Sequence, residues 1–204
     1  YERLPLETPR TSLPGGDFIL DTLDQIKRDG YEKLIIVSIS SALSGTCNMM
    51  RVMGQSYEGL DIHVIDTRSI SYGAGGEAVV AANLAREGYT MEEIIEAVEY
   101  SIRESKVYFC LSTLDYLARG GRIGKVAAVL GSLLKIKPVI TCNVEGAYAI
   151  AAKVRGRAHA INETITLAVA EAKKCIACSV AVIDGNAKDE AARVLQQIKQ
   201  LIPN

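Results

Sequence analysis

Ser40, Ser41, Ser44 and Thr46 place four hydroxyls within seven residues, beside Gly45, directly after the apolar run Leu34-Ile35-Ile36-Val37. An apolar run of strand length, then hydroxyls and a glycine, then the helix-compatible Cys47-Asn48-Met49-Met50-Arg51, reads as strand, tight turn and helix start. The chemistry suited to such a junction is anion binding. The first N–H groups of a helix lack partners and the helix dipole adds partial positive charge there. Short hydroxyls supply further donors to a carboxylate or phosphate, and a glycine lets the backbone approach closely. The plainer role for Ser44 or Thr46 is to cap the helix, and these residues alone do not separate the two.

Other chemistries fit less well. A Ser44 nucleophile with His63 or His159 as base would make a hydrolase or acyltransferase. The surroundings, however, are Ala42-x-Ser44-x-Thr46 rather than G-x-S-x-G, His63 falls inside a strand, and His159 falls in a helix after basic residues. Gly73-Ala74-Gly75-Gly76-Glu77-Ala78 matches G-x-G-x-x-A, but Glu92 and Glu93 open a helix where a dinucleotide site needs an acid at a strand end. Gly120-Gly121-Arg122-Ile123-Gly124-Lys125 is one residue short of a P-loop, and Val126 stands where Ser or Thr would bind magnesium. Cys175-Ile176-Ala177-Cys178 has metal or redox spacing without a second pair. The odd total of five cysteines, with settings such as Phe109-Cys110-Leu111, suits reduced, buried thiols in the cytoplasm. No metal and no cofactor are expected.

The elements that must position the hydroxyls follow from periodicity. Tyr1 to Ser12 reads as linker, broken by Pro5 and Pro9. A helix from Gly15-Gly16-Asp17 to about Arg28 carries Phe18, Ile19, Leu23 and Ile26 along one side. A second strand, Ile62 to Asp66, leads into the polar loop Thr67 to Tyr72. Helices follow over about Gly75 to Arg86, where Ala78, Ala81, Ala82 and Ala85 suit close packing or leave room beside a ligand, and over Met91 to Glu104. Val107 to Leu111 reads as strand, Leu114 to Arg119 as a short helix stopped by Gly120-Gly121, and Ile123 to Leu134 as an apolar helix. Ile136 to Cys142 and Ala147 to Lys153 form a hairpin; Arg157 to Lys174 is a helix, Ser179 to Ile183 a strand, and Glu190 to Leu201 the last helix.

The 204 residues suffice for one large or two small α/β domains, and with 49% hydrophobic residues a sizeable core is available. No apolar stretch is long enough to span a membrane and no secretory signal is visible, although Tyr1 is not a native start. Net charge is −1, unevenly spread: from Arg119 to Arg157 eight basic residues face one acid, Glu145, a net +7 that leaves −8 elsewhere. Such a band either steers an anionic partner or is simply a solvated face.

Four segments in fixed order carry a family resemblance. They are Pro9-Arg10-Thr11-Ser12-Leu13-Pro14, Ser40-Ser41-Ala42-Leu43-Ser44-Gly45-Thr46 and Val64-Ile65-Asp66-Thr67-Arg68-Ser69. The fourth runs from Leu117-Ala118-Arg119-Gly120-Gly121-Arg122-Ile123-Gly124 through Ile136-Lys137-Pro138 to Val154-Arg155-Gly156-Arg157. Together they resemble the DegV family of bacterial proteins, which bind a long-chain fatty acid and present it to a fatty acid kinase. The resemblance implies a carrier rather than an enzyme, with the fatty acid carboxylate held by Thr11 and Ser44, and Ser12, Gly45 and Thr46 as supporting residues. It also implies that the family's opening strand with a Thr-Asp-Ser-type loop, and its closing His- and Gly-containing segment, lie outside this sequence.

For a saturated acid of roughly 16 carbons, about 0.8 kcal/mol per methylene gives a tail contribution on the order of 12 kcal/mol before ordering costs. A hydroxyl donating to the carboxylate adds about 1.5–3 kcal/mol, so the tail supplies affinity and the hydroxyls supply orientation. Arg119 and Arg122 are candidates for docking the kinase or steering phosphate, since Arg offers bidentate contacts; their plainer role is to order the Gly120-Gly121 turn.

The expected architecture is α/β and DegV-like across residues 1–204. A first lobe over 13–105 has a mainly parallel sheet, a second over 106–204 includes the hairpin, and the acyl chain enters the interior. A cytoplasmic location is expected, with no nucleic-acid partner and no membrane segment. The competing class is a binder of a small carboxylated or phosphorylated metabolite, which would need only a narrow polar pocket.

Overall fold

Alternation along two short strands sets up the first half of the molecule. In this computed structural model, which describes residues 7, 8, 10–129 and 136–202, β1 (Lys33–Ser38) and β2 (Asp61–Asp66) pair in parallel from Lys33↔Asp61 to Ser38↔Asp66. Successive side chains point to opposite faces. Leu34 and Ile62 pack with Ile19, Leu23 and Leu60 on one side, while Ile35, Val37 and Ile65 pack with Ala81, Ile94 and Val98 on the other. The strands are therefore covered on both faces, as parallel pairing requires. One cover comes from α1 (Gly16–Arg28) and α2 (Thr46–Ser56), the other from α3 (Tyr72–Arg86) and α4 (Met91–Glu104). A capping box starts α4, with the Thr90 hydroxyl accepting from the Glu93 N–H and the Glu93 carboxylate accepting from the Thr90 N–H.

The second half holds a separate antiparallel sheet of order β3-β4-β5: β3 (Tyr108–Phe109), β4 (Ile136–Cys142) and β5 (Tyr148–Arg155), with a register irregularity at Val139/Ile140. Val126 and Ile140 are fully buried at its centre, and Phe109 meets Tyr148 edge to face at 5.5 Å. Two helices, α6 (Arg157–Ala172) and α7 (Lys188–Leu201), make their own core of Ile165, Val169 and Ile198, with α5 (Asp115–Arg119) and the 3-10 turn Gly124–Val129 completing the described elements. By contact density the chain falls into two compact units. One is Thr11–Ser105 with Asn143–Ala147; the other is Tyr1–Arg10, Lys106–Cys142 and Tyr148–Asn204. The α/β class with a parallel first sheet and a hairpin in the second is thus what the chain forms.

Several local expectations are corrected. Ser179 to Ile183 is not a strand; Val180 and Ile183 are exposed and no described strand pairs with the segment, so its apolar residues have no ladder to join. The helix expected from about Gly75 starts at Tyr72, so Gly73-Ala74-Gly75-Gly76 lie inside the first turns of α3. Of the four alanines singled out on α3, only Ala81 is buried. The strand at Val107 to Leu111 shrinks to two residues. Of the expected Ile123 to Leu134 helix, Ile123 is not helical and Gly124–Val129 forms a 3-10 turn; 130–135 lie outside the described residues. All five thiols are free, but only Cys47 is buried, and Cys175 and Cys178 are exposed.

Candidate functional site

The carboxyl ends of β1 and β2 run into two loops, Ile39 to Gly45 and Thr67 to Ser71, which is where parallel α/β sheets bind ligands. Hydrogen bonds tie the two loops together. The Ser40 N–H donates to the Ser69 carbonyl at 2.9 Å, and the Thr67 hydroxyl and N–H both donate to the Ser38 carbonyl at 2.8 and 3.1 Å. One oxygen of Asp66 accepts from the Ser41 N–H at 3.2 Å and from the Arg68 N–H at 3.0 Å. That grip holds Arg68 in the left-handed region, at φ 50°.

Ser40 is the node of the arrangement. Its side chain is wholly buried, its carbonyl accepts from the N–H groups of Leu43 and Ser44 at 3.1 Å each, and its hydroxyl accepts from the Ala42 N–H at 3.2 Å. The hydroxyl proton goes to the Gly146 carbonyl at 2.9 Å. Ser40 is therefore not a ligand donor, contrary to its expected place among the anion-holding hydroxyls: burial and an internal acceptor consume its proton. Gly146 lies in the turn between β4 and β5, where Asn143 Oδ1 accepts from the N–H groups of Glu145 and Ala147.

Ser44 and Thr46 are half-buried and their hydroxyls are 2.9 Å apart; the Thr46 N–H donates to Ser44 Oγ at 3.3 Å. Gly45 is the residue before α2 and no side chain caps the helix, so the expected cap is replaced by a local turn in which Ser44 receives the first helical N–H. The uncapped N-terminus leaves partial positive charge beside Ser44. Thr11 and Ser12 are exposed, and among the described residues their side chains make no hydrogen bond. Leu13 lies over Gly45: a Cβ built there would meet its Cδ2 at 3.3 Å. The chain following Thr11 is thereby held against the residue following Ser44.

Beneath the loop, Cys47 is completely buried. Burial first, then the Asp66 carboxylate, pushes its thiol up, so it is held neutral and unreactive. Ser44 has Thr46 as its side-chain partner and no histidine among the described residues. His63 instead lines a cleft with Arg51, Arg68 and Glu99, and the geometry gives no Ser-His pair. Among the described residues no group of three or more His, Cys, Asp or Glu could hold a metal, and no helix is long and apolar enough to cross a membrane.

In the other unit, Arg119 is exposed, donates to the Thr8 hydroxyl at 3.2 Å and lies 6.0 Å from the Tyr116 ring centroid. Arg122 donates to the Gly120 carbonyl at 2.7 Å, so it orders the turn through a carbonyl. Asp66, Thr67 and Gly146 received no role from the sequence. Asp66 and Thr67 had a usable signal, an acid and a hydroxyl closing an apolar strand; Gly146, 106 residues from Ser40, had none.

The sequence matches, over residues 1–204, the model of a family described as "Uncharacterised protein, DegV family". A DegV domain-containing protein of Clostridium perfringens is 39% identical over 198 residues, covering 97% of this chain and 70% of the relative. The crystal structure of DegV from Bacillus subtilis, a fatty acid binding protein, matches with a TM-score of 0.88 at 28% identity, covering all of this chain and 72% of that one. A DegV family protein from Thermus thermophilus, described for its fatty acid binding, matches with a TM-score of 0.73 at 32% identity over 81% of this chain. This chain spans 58% of that protein's length. With the family model matched over residues 1–204 and the fold in agreement, this chain belongs to the DegV family.

Proposed function

We propose that this protein is a cytoplasmic carrier that binds a long-chain fatty acid. In this reading the carboxylate rests at the Thr11 and Ser44 hydroxyls, with Ser12, Gly45 and Thr46 beside it, and the acyl chain is buried in an apolar interior. The observation that carries the reading is the half-buried Ser44–Thr46 hydroxyl pair at an uncapped helix start, in a chain whose relatives from B. subtilis and T. thermophilus are described as fatty acid binding. Hydroxyl donors and a helix N-terminus suit a carboxylate, and they hold it without the strong charge pairing that would hinder its release.

The carrier then presents the acid to a separate fatty acid kinase. A carboxylate oxygen attacks the γ-phosphorus of ATP, giving acyl phosphate and ADP, and the carrier itself does no bond chemistry. Arg119 and Arg122 form the docking or phosphate-steering surface; their fixed positions beside the Gly120 turn support this role.

The test is native mass spectrometry of the purified protein followed by denaturation and extraction. A long-chain fatty acid at about one per chain, lost when Thr11 and Ser44 are both changed to Ala, is the expected result. A protein that is empty and takes up no added fatty acid, or that carries a small polar metabolite instead, overturns the reading. For the partner role, charge reversal at Arg122 is expected to lower kinase-dependent phosphorylation while leaving fatty acid uptake intact; unchanged phosphorylation removes that role.

A further inference from the structure

Cys175 and Cys178 take no part in the site described above. Both thiols are free and exposed, as is every residue from Lys173 to Val180, and Ile176 between them stands fully in solvent. Three peptide units at full extension reach roughly 10 Å. Here the chain bends at Cys175, Ile176 and Ala177 in succession, which draws the two cysteines toward the roughly 5.5–6 Å between Cα atoms that a disulfide prefers. The segment is also anchored on both sides in one core. Val169 and Ala172 are buried on α6 before it, and Val182 after it packs against the cluster of Ile165, Val169 and Ile198. A closed metal site is the poorer reading, because among the described residues no third His, Cys, Asp or Glu joins the pair.

The two thiols differ in setting. Cys175 Sγ donates to the Glu171 carbonyl of α6 at 3.8 Å, whereas Cys178 lies beyond the helix end and its thiol has no hydrogen-bond partner among the described residues. From this placement we propose that Cys175 and Cys178 form a reversible dithiol site for low-molecular-weight disulfides, with Cys178 attacking and Cys175 resolving. The Cys178 thiolate, its proton released to water, attacks one sulfur of the small disulfide. That S–S bond breaks, a mixed disulfide forms on Cys178 and one small thiolate leaves. The Cys175 thiolate, its proton likewise released, attacks the Cys178 sulfur, closes the bridge and expels the second small thiolate. Two electrons pass from the protein to the small disulfide, and the two released protons end on the two departing thiols. Lys173 and Lys174 directly precede Cys175 and favour an anionic reagent such as oxidised glutathione, with Lys174 shared with Glu171 at 2.8 Å. In a reducing compartment such a bridge is a transient response to oxidation.

The experiment treats the whole native chain with oxidised glutathione and reads intact mass and peptide maps. Loss of two hydrogen atoms, located to one bridge between Cys175 and Cys178 and reversed by dithiothreitol, is the expected result. Cys175→Ser is expected to stop at a glutathione adduct on Cys178, and Cys178→Ser to form its adduct on Cys175 at least about threefold more slowly. The contribution of the fold is read by repeating the equilibrium in urea. At a fixed glutathione ratio, bridged over reduced protein is expected to fall about tenfold on unfolding. Stable adducts on both cysteines without ring closure, a bridge to another cysteine or to a second chain, no reaction of either thiol, or a bridge equally favourable in urea would each overturn the proposal. Equal adduct rates in the two serine variants would overturn the assignment of Cys178 as the attacking thiol.

Discussion

The buried hydroxyl of Ser40 donates to the carbonyl of Gly146 across 106 residues of sequence, at 2.9 Å. The contact is tight on the other side too: Gly146 has φ +81°, and a Cβ built on it would stand 2.1 Å from Ser40 Oγ and 2.9 Å from Arg68 Cα. Ser40→Ala leaves the Gly146 carbonyl and the Ala42 N–H without their partner, and is expected to cost about 1–3 kcal/mol in urea unfolding. Gly146→Ala is expected to cost more, since it combines a left-handed backbone with a clash. Equal stability of the parent and both variants would contradict the role assigned to this contact.

Burial pushes the Cys142 thiol from an ordinary 9.0 up to about 11. A raised value in the folded state means that the folded protein keeps the proton longer than the unfolded chain. The associated stability is therefore complete below about pH 9 and is lost as pH rises toward about 11. Cys142→Ala is expected to flatten this part of the alkaline unfolding curve; Tyr148, also raised by burial, keeps its own contribution. In the parent at neutral pH, the exposed Cys175 and Cys178 are expected to alkylate well before Cys142, as peptide mapping would read.

At the start of α4, the Thr90 N–H and then its hydroxyl hold the Glu93 carboxyl below its usual value. A depressed folded-state value makes the contribution present above the ordinary carboxylate range and lost as pH falls through the folded value. Thr90→Ala is expected to cost about 1 kcal/mol near neutral pH. Glu93→Gln is expected to differ from the parent near neutral pH and converge with it in acid, a comparison that circular dichroism melts would make.

Arg157 bonds Glu190 through two of its nitrogens and donates through the third to the Ser112 hydroxyl at 2.7 Å. The carboxylate raises the guanidinium's already high value. Both side chains are partly exposed, 40% for Arg157, so solvent screening limits the pair to about 0.5–1 kcal/mol. Arg157→Lys is not conservative here, because an ammonium cannot make the fork; a double-mutant cycle with Glu190→Gln is expected to show most of the coupling lost in the lysine variant.

Glu77 is buried, with one carboxylate oxygen accepting from the Ser105 hydroxyl at 2.7 Å and the other without a hydrogen-bond partner. Glu77→Gln keeps an acceptor for the Ser105 hydroxyl, whereas Glu77→Ala removes that acceptor. Glu77→Ala is therefore expected to lower the melting temperature more than Glu77→Gln does.

Where local chemistry alone decides the outcome, the sequence was a good guide. Ile94, Ile95, Val98 and Ile102 at helical spacing marked α4 at its observed ends, and Leu34 to Val37 marked β1. It misled where a partner decides. Ser179 to Ile183 has strand composition and, among the described residues, no strand pairs with it. The helix expected from about Gly75 begins three residues earlier, at Tyr72, and its body is held by Ala74, Glu77 and Ala81 in the interior. At the site, the Ser44, Gly45 and Thr46 cluster was legible because its members are adjacent. That Ser40 is structural, whereas Ser44 and Thr46 remain half open, depends on Gly146, and no reading of neighbours reaches that far.

That separation also bears on how the protein is made. Ribosomes deliver roughly 5–20 residues per second, so Ser40 emerges roughly 5–20 s before the residue that accepts its proton. During that interval the strands, and the helix between them, can assemble from what is already present. The loop that carries Ser44 must wait for the Asn143–Ala147 turn before its anchor is complete. The anchor of the Ser44 loop is thus completed only once the chain has grown past Gly146.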